Sequence, residues 1–475
     1  MSNSGEVRMG PDKAPRLSWS AALVGSLFAA AASAAQAQEA AAPPIPVEGA
    51  PSSQTTGESP SAVKEPEVMI APPATPLAPA PSTVVIAPIT VDGAPAVAVV
   101  EEEPAPESKW SDAITLGGFI EAYYGWNFRR PENHTAGNRW VDERHNSFTL
   151  QTVALDLKVE KGPVASQVTL MFGPTADRWY FEGVQPKGGP NDASLGFGQY
   201  SNETWKHVMN AWASYTLPVG KGLTLMGGLM PTQVGFEPTP VKDNWNFSRS
   251  NLFNYLPFFH LGARVFYPVT DAWTVTAAVY NGWNQPVDLN SGKSLSFVSS
   301  YLKDKWLFNL LYLGGNERGY TDPAGKVWRN MFDAVAQYDL TSYFSMAAET
   351  NGGWENGDLG VDGWFGGGLW ARAKATNWLY FAARGDGIYE HVASKNGVSS
   401  PIYFAGGNHI ASGTFTVELR PIDGVSFRLE YRHDDMDEKS PQFYRRGFTT
   451  NADGTMAQNV AKVQDTLTLG MTGWF

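Results

Sequence analysis

From Trp110 onward, apolar and polar side chains take turns along the chain. In Val425 to His433 the residues Val425, Phe427, Leu429 and Tyr431 share one side, and Ser426, Arg428, Glu430 and Arg432 share the other. Likewise Phe415, Val417 and Leu419 oppose Thr414, Thr416, Glu418 and Arg420, and Leu467, Leu469, Met471 and Phe475 oppose Thr466, Thr468 and Thr472. A period of two is the signature of extended strands. It predicts strands near 113–128, 145–160, 163–173, 205–217, 222–230, 258–268, 272–281 and 292–303. The second half continues near 305–314, 327–339, 342–350, 361–374, 377–387, 409–420, 424–433 and 462–475. The count is about sixteen, and the fold class is all-β.

The connections sort into two kinds. Tight turns follow every second strand, at Lys161-Gly162, Pro218 to Lys221, Thr270-Asp271, Asp304, Thr341, Thr376 and Pro421 to Gly424. Their Gly, Pro, Asp and Thr content is hairpin chemistry. Long, polar, glycine-rich loops lie between them, near 129–144, 174–204, 231–257, 282–291, 315–326, 351–360, 388–408 and 434–461. Such strict alternation predicts a transmembrane antiparallel up-and-down β-barrel with short turns at one end and long loops at the other. A β-sandwich or propeller has no reason for it.

The start of the chain fits export. Arg8, Lys13 and Arg16 precede an apolar run through Leu23, Val24, Leu27 and Phe28, and Ala35-Gln36-Ala37 matches a small-x-small cleavage pattern. We expect a signal peptide at 1–37. Residues 38–108 are rich in Ala, Pro, Val and Glu and poor in aromatics, so they read as a disordered Pro/Ala-rich N-terminal tail, with too little apolar surface to offset the entropy of ordering. Ten acids against Lys64 give that tail −9 of the chain's net −12. The barrel then occupies 109–475. Beyond the leader, no apolar stretch reaches the roughly 18 residues that a spanning helix needs. The chain has no cysteine, which excludes disulfides and thiolate metal sites.

An exported barrel inverts the usual assignment of faces. Charged residues point into the lumen and apolar residues meet lipid, where a charge near the midplane would cost roughly 2–4 kcal/mol. Trp126, Tyr215, Tyr267, Trp273, Tyr338 and Trp378 sit near strand ends and suit interfacial girdles. Phe475, closing an alternating last strand, reads as an assembly signal for the barrel-assembly machinery. Both termini would be periplasmic, in a bacterial outer membrane whose lipid and lipopolysaccharide are the surrounding partners.

Several segments are also familiar. Gly118 to Tyr124 (GFIEAYY), Arg144 to Leu157 (RHNSFTLQTVALDL), Lys242 to Phe253 (KDNWNFSRSNLF), Tyr280 to Asn284 (YNGWN) and Leu429 to Asp434 (LEYRHD) resemble the β-barrel porin-2 family, also called OmpL-like. The resemblance runs from about Ile114 to Phe475 and excludes the tail. It implies an outer-membrane porin-like channel and carries no catalytic or ligand residue with it.

About sixteen strands leave room for an aqueous channel. The loop Pro231 to Pro257 is the candidate constriction, because it is long and mixes Glu237, Lys242, Asp243 and Arg249 with Trp245, Phe247 and Phe253. The candidate pore-lining charges are Arg264, Arg384, Asp386, Glu418, Arg420, Arg428, Glu430 and Arg432. Two roles stand open for these arginines: selecting ions across a narrow passage, or pairing with Glu418, Glu430 and Asp386 to satisfy buried charge. The seven histidines are scattered and lack triad or metal-ligand spacing, so we expect neither an enzyme, nor a metal, nor a cofactor. The acids Asp434, Asp435, Asp437 and Glu438 read as a solvated loop rather than a calcium site, since the glycine turn of a calcium loop is missing. Gly366 to Gly368 lie within a strand, where close packing or a bend explains them better than phosphate binding. No basic run suggests nucleic acid. The function expected is passive diffusion of small hydrophilic solutes or ions, by a monomer or a homo-oligomer. The alternative is a non-conducting structural or adhesive barrel tethered by its tail.

Overall fold

The computed structural model describes residues 110–180, 205–288, 290, 292–319, 322–403, 409–438, 441–451 and 454–475. The expected leader and tail lie outside these residues, as does 181–204 of the second long loop. The wall begins with β1 (Ile114–Asn127), β2 (Ser147–Lys161), β3 (Val164–Phe172), β4 (Val208–Leu217), β5 (Leu223–Pro231), β6 (Phe259–Pro268), β7 (Trp273–Tyr280) and β8 (Ser294–Lys303). It continues with β9 (Trp306–Gly315), β10 (Arg329–Thr341), β11 (Phe344–Gly357), β12 (Gly360–Lys374) and β13 (Leu379–His391). A small hairpin of β14 (Ser394–Lys395) and β15 (Val398–Ser399) leads to β16 (His409–Ile422) and β17 (Val425–Met436). Another hairpin, β18 (Phe443–Thr450) with β19 (Met456–Ala461), precedes β20 (Val463–Trp474).

Sixteen of these strands form one closed antiparallel barrel, each paired with its neighbour in sequence and β1 paired with β20. At that seam Phe119 lies opposite Trp474 and Asn127 opposite Thr466. Closure satisfies every strand edge within the wall, which is what a membrane demands of backbone polar groups. The short turns are as tight as their composition implied. Lys303 faces Trp306 across Asp304-Lys305, with Asp304 in the left-handed region at φ 54°, a conformation that Asp tolerates better than most residues. Gly162 does the same between Lys161 and Val164, at φ 58°.

The barrel is inside out. On β17, Phe427, Leu429 and Tyr431 are 40–47% exposed, whereas Arg428, Glu430 and Arg432 between them are 1% exposed. A water-soluble barrel would show the reverse. The girdle aromatics are on the outer face too: Tyr215, Trp273 and Trp378 are exposed, and Tyr338 stacks on Trp306 at 4.1 Å.

Two expectations need correction. No long loop exists at 351–360, because β11 and β12 run on to Gly357 and Gly360 with only Asp358-Leu359 between them. The glycines there obscured an alternation that continues through outward Trp354 and inward Glu355. Asp434 is not part of a solvated acidic loop. It is the last inward acid of β17, buried against Arg432 at 2.8 Å and Arg139 at 2.9 Å. It shares the parity of Glu430 and Arg432, and that parity decides its face.

Candidate functional site: the inner wall and the third long loop

The connection between β5 and β6 cannot be regular. Pro231, Pro238, Pro240 and Pro257 interrupt it, so only a 3-10 turn at Val241–Asp243 and one helical turn at Asn251–Asn254 form. The latter is capped by Ser250, whose hydroxyl accepts the Phe253 N–H at 3.1 Å. Most backbone N–H and C=O groups of the segment must therefore find partners elsewhere. Some find them within the loop, as the Ser250 N–H does on Glu237 at 2.7 Å, and others on charged side chains of the inner wall.

Wall carboxylates take the loop's N–H groups. Glu121 accepts from Val241 at 2.5 Å, Asp333 from Gly235 at 3.1 Å and Glu349 from Phe236 at 2.8 Å. Asp386 accepts from Asn251 at 2.7 Å, and Glu430 from both Phe247 at 2.6 Å and Ser248 at 2.9 Å. Wall arginines take the carbonyls. Arg384 donates to the Ser248 carbonyl at 2.6 Å, Arg428 to those of Val241 at 2.7 Å and Asn244 at 2.9 Å, Arg264 to that of Pro231 at 2.5 Å, and Arg432 to that of Arg249. Charge-assisted bonds of this kind are the strong class. The loop is thereby attached to the inner face from β6 around to β17 and on to β1.

Packing repeats the pattern. A side chain at Gly366 or Gly368 would meet Leu252 at 2.9 and 3.1 Å, and one at Gly470 would run into the Phe247 ring. These inward glycines are seats for loop side chains, in keeping with the close-packing reading of Gly366 to Gly368. Phe236 adds ring contacts to Trp245 at 5.3 Å and Trp370 at 5.0 Å.

The sequence-derived residues fall as follows. Arg384 pairs with Asp386 at 3.0 Å and with loop Glu237 at 2.9 Å. Arg428 pairs with Glu418 at 2.7 Å, and Arg420 reaches the same Glu418 at 3.0 Å without touching the loop. Arg264 bonds the Tyr280 hydroxyl at 2.6 Å. Of the loop charges, Glu237 and Arg249 are buried, Arg249 donating to the Phe247 carbonyl at 2.9 Å, while Lys242 and Asp243 are half-buried and pair with each other at 2.9 Å. Phe475 is exposed at the end of β20, its backbone bonded to Gly118. Sequence reasoning passed over Glu121, Asp333 and Glu349. Each is an acid on the inward parity of its strand, and that parity was a usable signal.

The interior is uneven. Toward the long-loop end Met230, Leu256, Trp283, Leu313, Trp364 and Phe443 join one apolar cluster, and Trp140, Trp179, Phe253 and Phe258 belong to another. Toward the short turns, the wall offers hydroxyls and amides, such as Thr216 bonded to Thr224 at 2.9 Å and Ser300 to Asn309 at 2.7 Å, Asn309 also donating to the Gln233 carbonyl of the loop at 3.2 Å. Among the described residues, no group of three or more His, Asp or Glu is arranged to hold a metal ion.

A closed sixteen-strand cylinder with an apolar skin and a charged inner wall defines a porin-like barrel of the bacterial outer membrane. Residues 113–472 match the family described as "Putative beta-barrel porin-2, OmpL-like", and the chain belongs to that family. Among solved structures, it is similar to an anion-selective porin from Comamonas acidovorans, 11% identical, covering 76% of this chain and 99% of that one with a TM-score of 0.48. The outer membrane channel DcaP of Acinetobacter baumannii is 9% identical, covering 76% and 97%, also at 0.48. OmpT of Vibrio cholerae is 9% identical over the same shares, at 0.47. Likenesses at this level add nothing to the family assignment. No curated protein matches the chain.

Proposed function

We propose that the protein is a diffusion porin for small hydrophilic solutes or ions, and that residues 231–257 are its constriction. The observation that carries this reading is the attachment of that loop, by its own backbone, to the charged inner wall. A sixteen-strand cylinder is wide enough for water to pass beside such a loop. In this reading the inward charges Arg264, Arg384, Asp386, Glu418, Arg420, Arg428, Glu430 and Arg432, all but half-buried Arg420 covered from solvent, stand in the wall behind the loop, and most of them act by fixing the loop and so setting the bore. Both termini lie in the periplasm, and Phe475 addresses the chain to the barrel-assembly machinery.

The test is single-channel conductance of the full-length chain in planar lipid bilayers. Stable steps are expected, and a Glu430→Ala, Asp386→Ala double variant, which frees the loop, is expected to give larger ones. A folded barrel that never conducts would overturn the porin. The second reading, a structural or adhesive barrel, is favoured by one observation, the apolar clusters packed among the loops at the long-loop end.

A further inference from the structure

Below the loop, toward the short turns, the wall carries an unbalanced cluster. Three guanidiniums converge on one carboxylate: Glu418 receives Arg428 at 2.7 Å, Arg420 at 3.0 Å and Arg372 at 3.1 Å. Ser426 adds a hydroxyl bond to it at 2.8 Å. Tyr380 is held between two of the arginines, with Arg372 4.4 Å and Arg420 5.4 Å from its ring centroid, and Arg420 also lies 5.8 Å from the ring of Trp474. Aromatic faces of this sort keep guanidiniums in place without neutralising them.

One carboxylate against three guanidiniums leaves two positive charges uncompensated within the cluster. Arg428 is buried and also committed to the loop carbonyls of Val241 and Asn244. Arg372 and Arg420 differ: their side chains keep 21% and 13% of their exposure, and Nε of Arg372 has no hydrogen-bond partner. Surplus charge in a partly desolvated wall attracts a counter-ion, and guanidiniums with N–H groups to spare suit a multidentate oxyanion.

We propose that Arg372 and Arg420, steadied by Tyr380 and Glu418, form an anion-binding site in the lumen for phosphate- or carboxylate-bearing solutes. It deepens the porin reading, because it names the solute class that the passage would concentrate. Placed beneath the loop's attachments, it draws anions to the narrow part of the lumen.

Calorimetric titration of the full-length, detergent-folded chain with pyrophosphate at low ionic strength tests the site. Saturable one-site binding is expected in the wild type. It should weaken by about tenfold or more in the R372Q/R420Q variant and stay within about threefold in R372K/R420K, which keeps the charges. Absence of saturable binding in the wild type, or equal affinity in the Gln variant and the wild type, overturns the proposal. The heat-dependent gel mobility of a folded barrel is checked for each variant, and a single R420Q change replaces the double one if that fails to fold. Calorimetry requires no conduction. A barrel that binds pyrophosphate and never conducts therefore sinks the pore alone, and a conducting barrel without the binding sinks the site alone.

Discussion

Glu430 shows how single residues work in this wall. One carboxylate takes two loop N–H groups and the Thr416 hydroxyl at 2.8 Å, all beyond the reach of solvent. In Glu430→Gln half of that acceptor becomes a donor facing donors, so buried N–H groups lose their partner. The expected cost is about 3 kcal/mol in urea unfolding from micelles, with faster trypsin cleavage after Arg249. An unchanged midpoint and an unchanged cleavage rate would show that the loop is held by something else. The same logic reads Glu121, Glu349 and Asp386 as substitutes for the β-ladder that the loop lacks.

At the scale of elements, the strands were legible and the loop's path was not. Each of the sixteen wall strands overlaps a stretch picked out by period-two alternation, because a wall with lipid on one side and charge on the other imposes that period on nearly every residue. Three hairpins were missed: the one at Gly357 to Gly360, where glycines blur the pattern, and β14–β15 and β18–β19, which lie inside stretches read as long loops. The docking of 231–257 depends on contacts between residues far apart in the chain, such as Asn251 with Asp386, 135 positions away, and no local period encodes these. The loop's length and its mixture of charged and aromatic residues marked it out, but not its partners.

The loop after β9 makes a separate prediction. Glu317 accepts the Trp283 N–H at 2.9 Å and the Ser294 hydroxyl at 2.5 Å, and burial pushes its carboxyl from 4.5 up to about 7, against the opposing pull of Arg329. Between those values the folded chain holds a proton that the unfolded chain has released. The contribution of this group is therefore fully present below about pH 4.5 and is lost as pH rises to about 7. Thermal unfolding between pH 5 and 8 should show this fall, and Glu317→Gln should flatten it. A slope that persists unchanged in the variant would assign it to another group.

For the whole molecule, the decisive property is that its two faces answer to different solvents. Leu429 lies on the outer face opposite Leu469, one residue from buried Arg428. Leu429→Arg adds to the outer surface the same group that its neighbour carries inside, and near the bilayer midplane it should cost about 2–4 kcal/mol in folding into vesicles. The change should be nearly silent if the outer face met water instead.

The seam between β1 and β20 joins segments from the two extremes of the barrel sequence. The loop-closure entropy of that pairing is recovered only when the last strand arrives, so the cylinder shuts late. Until then both margins are open, and each can template a neighbouring chain. The nascent protein is thus at its most adhesive when a single strand is missing, and its final dozen residues decide between a sealed cylinder and an aggregate.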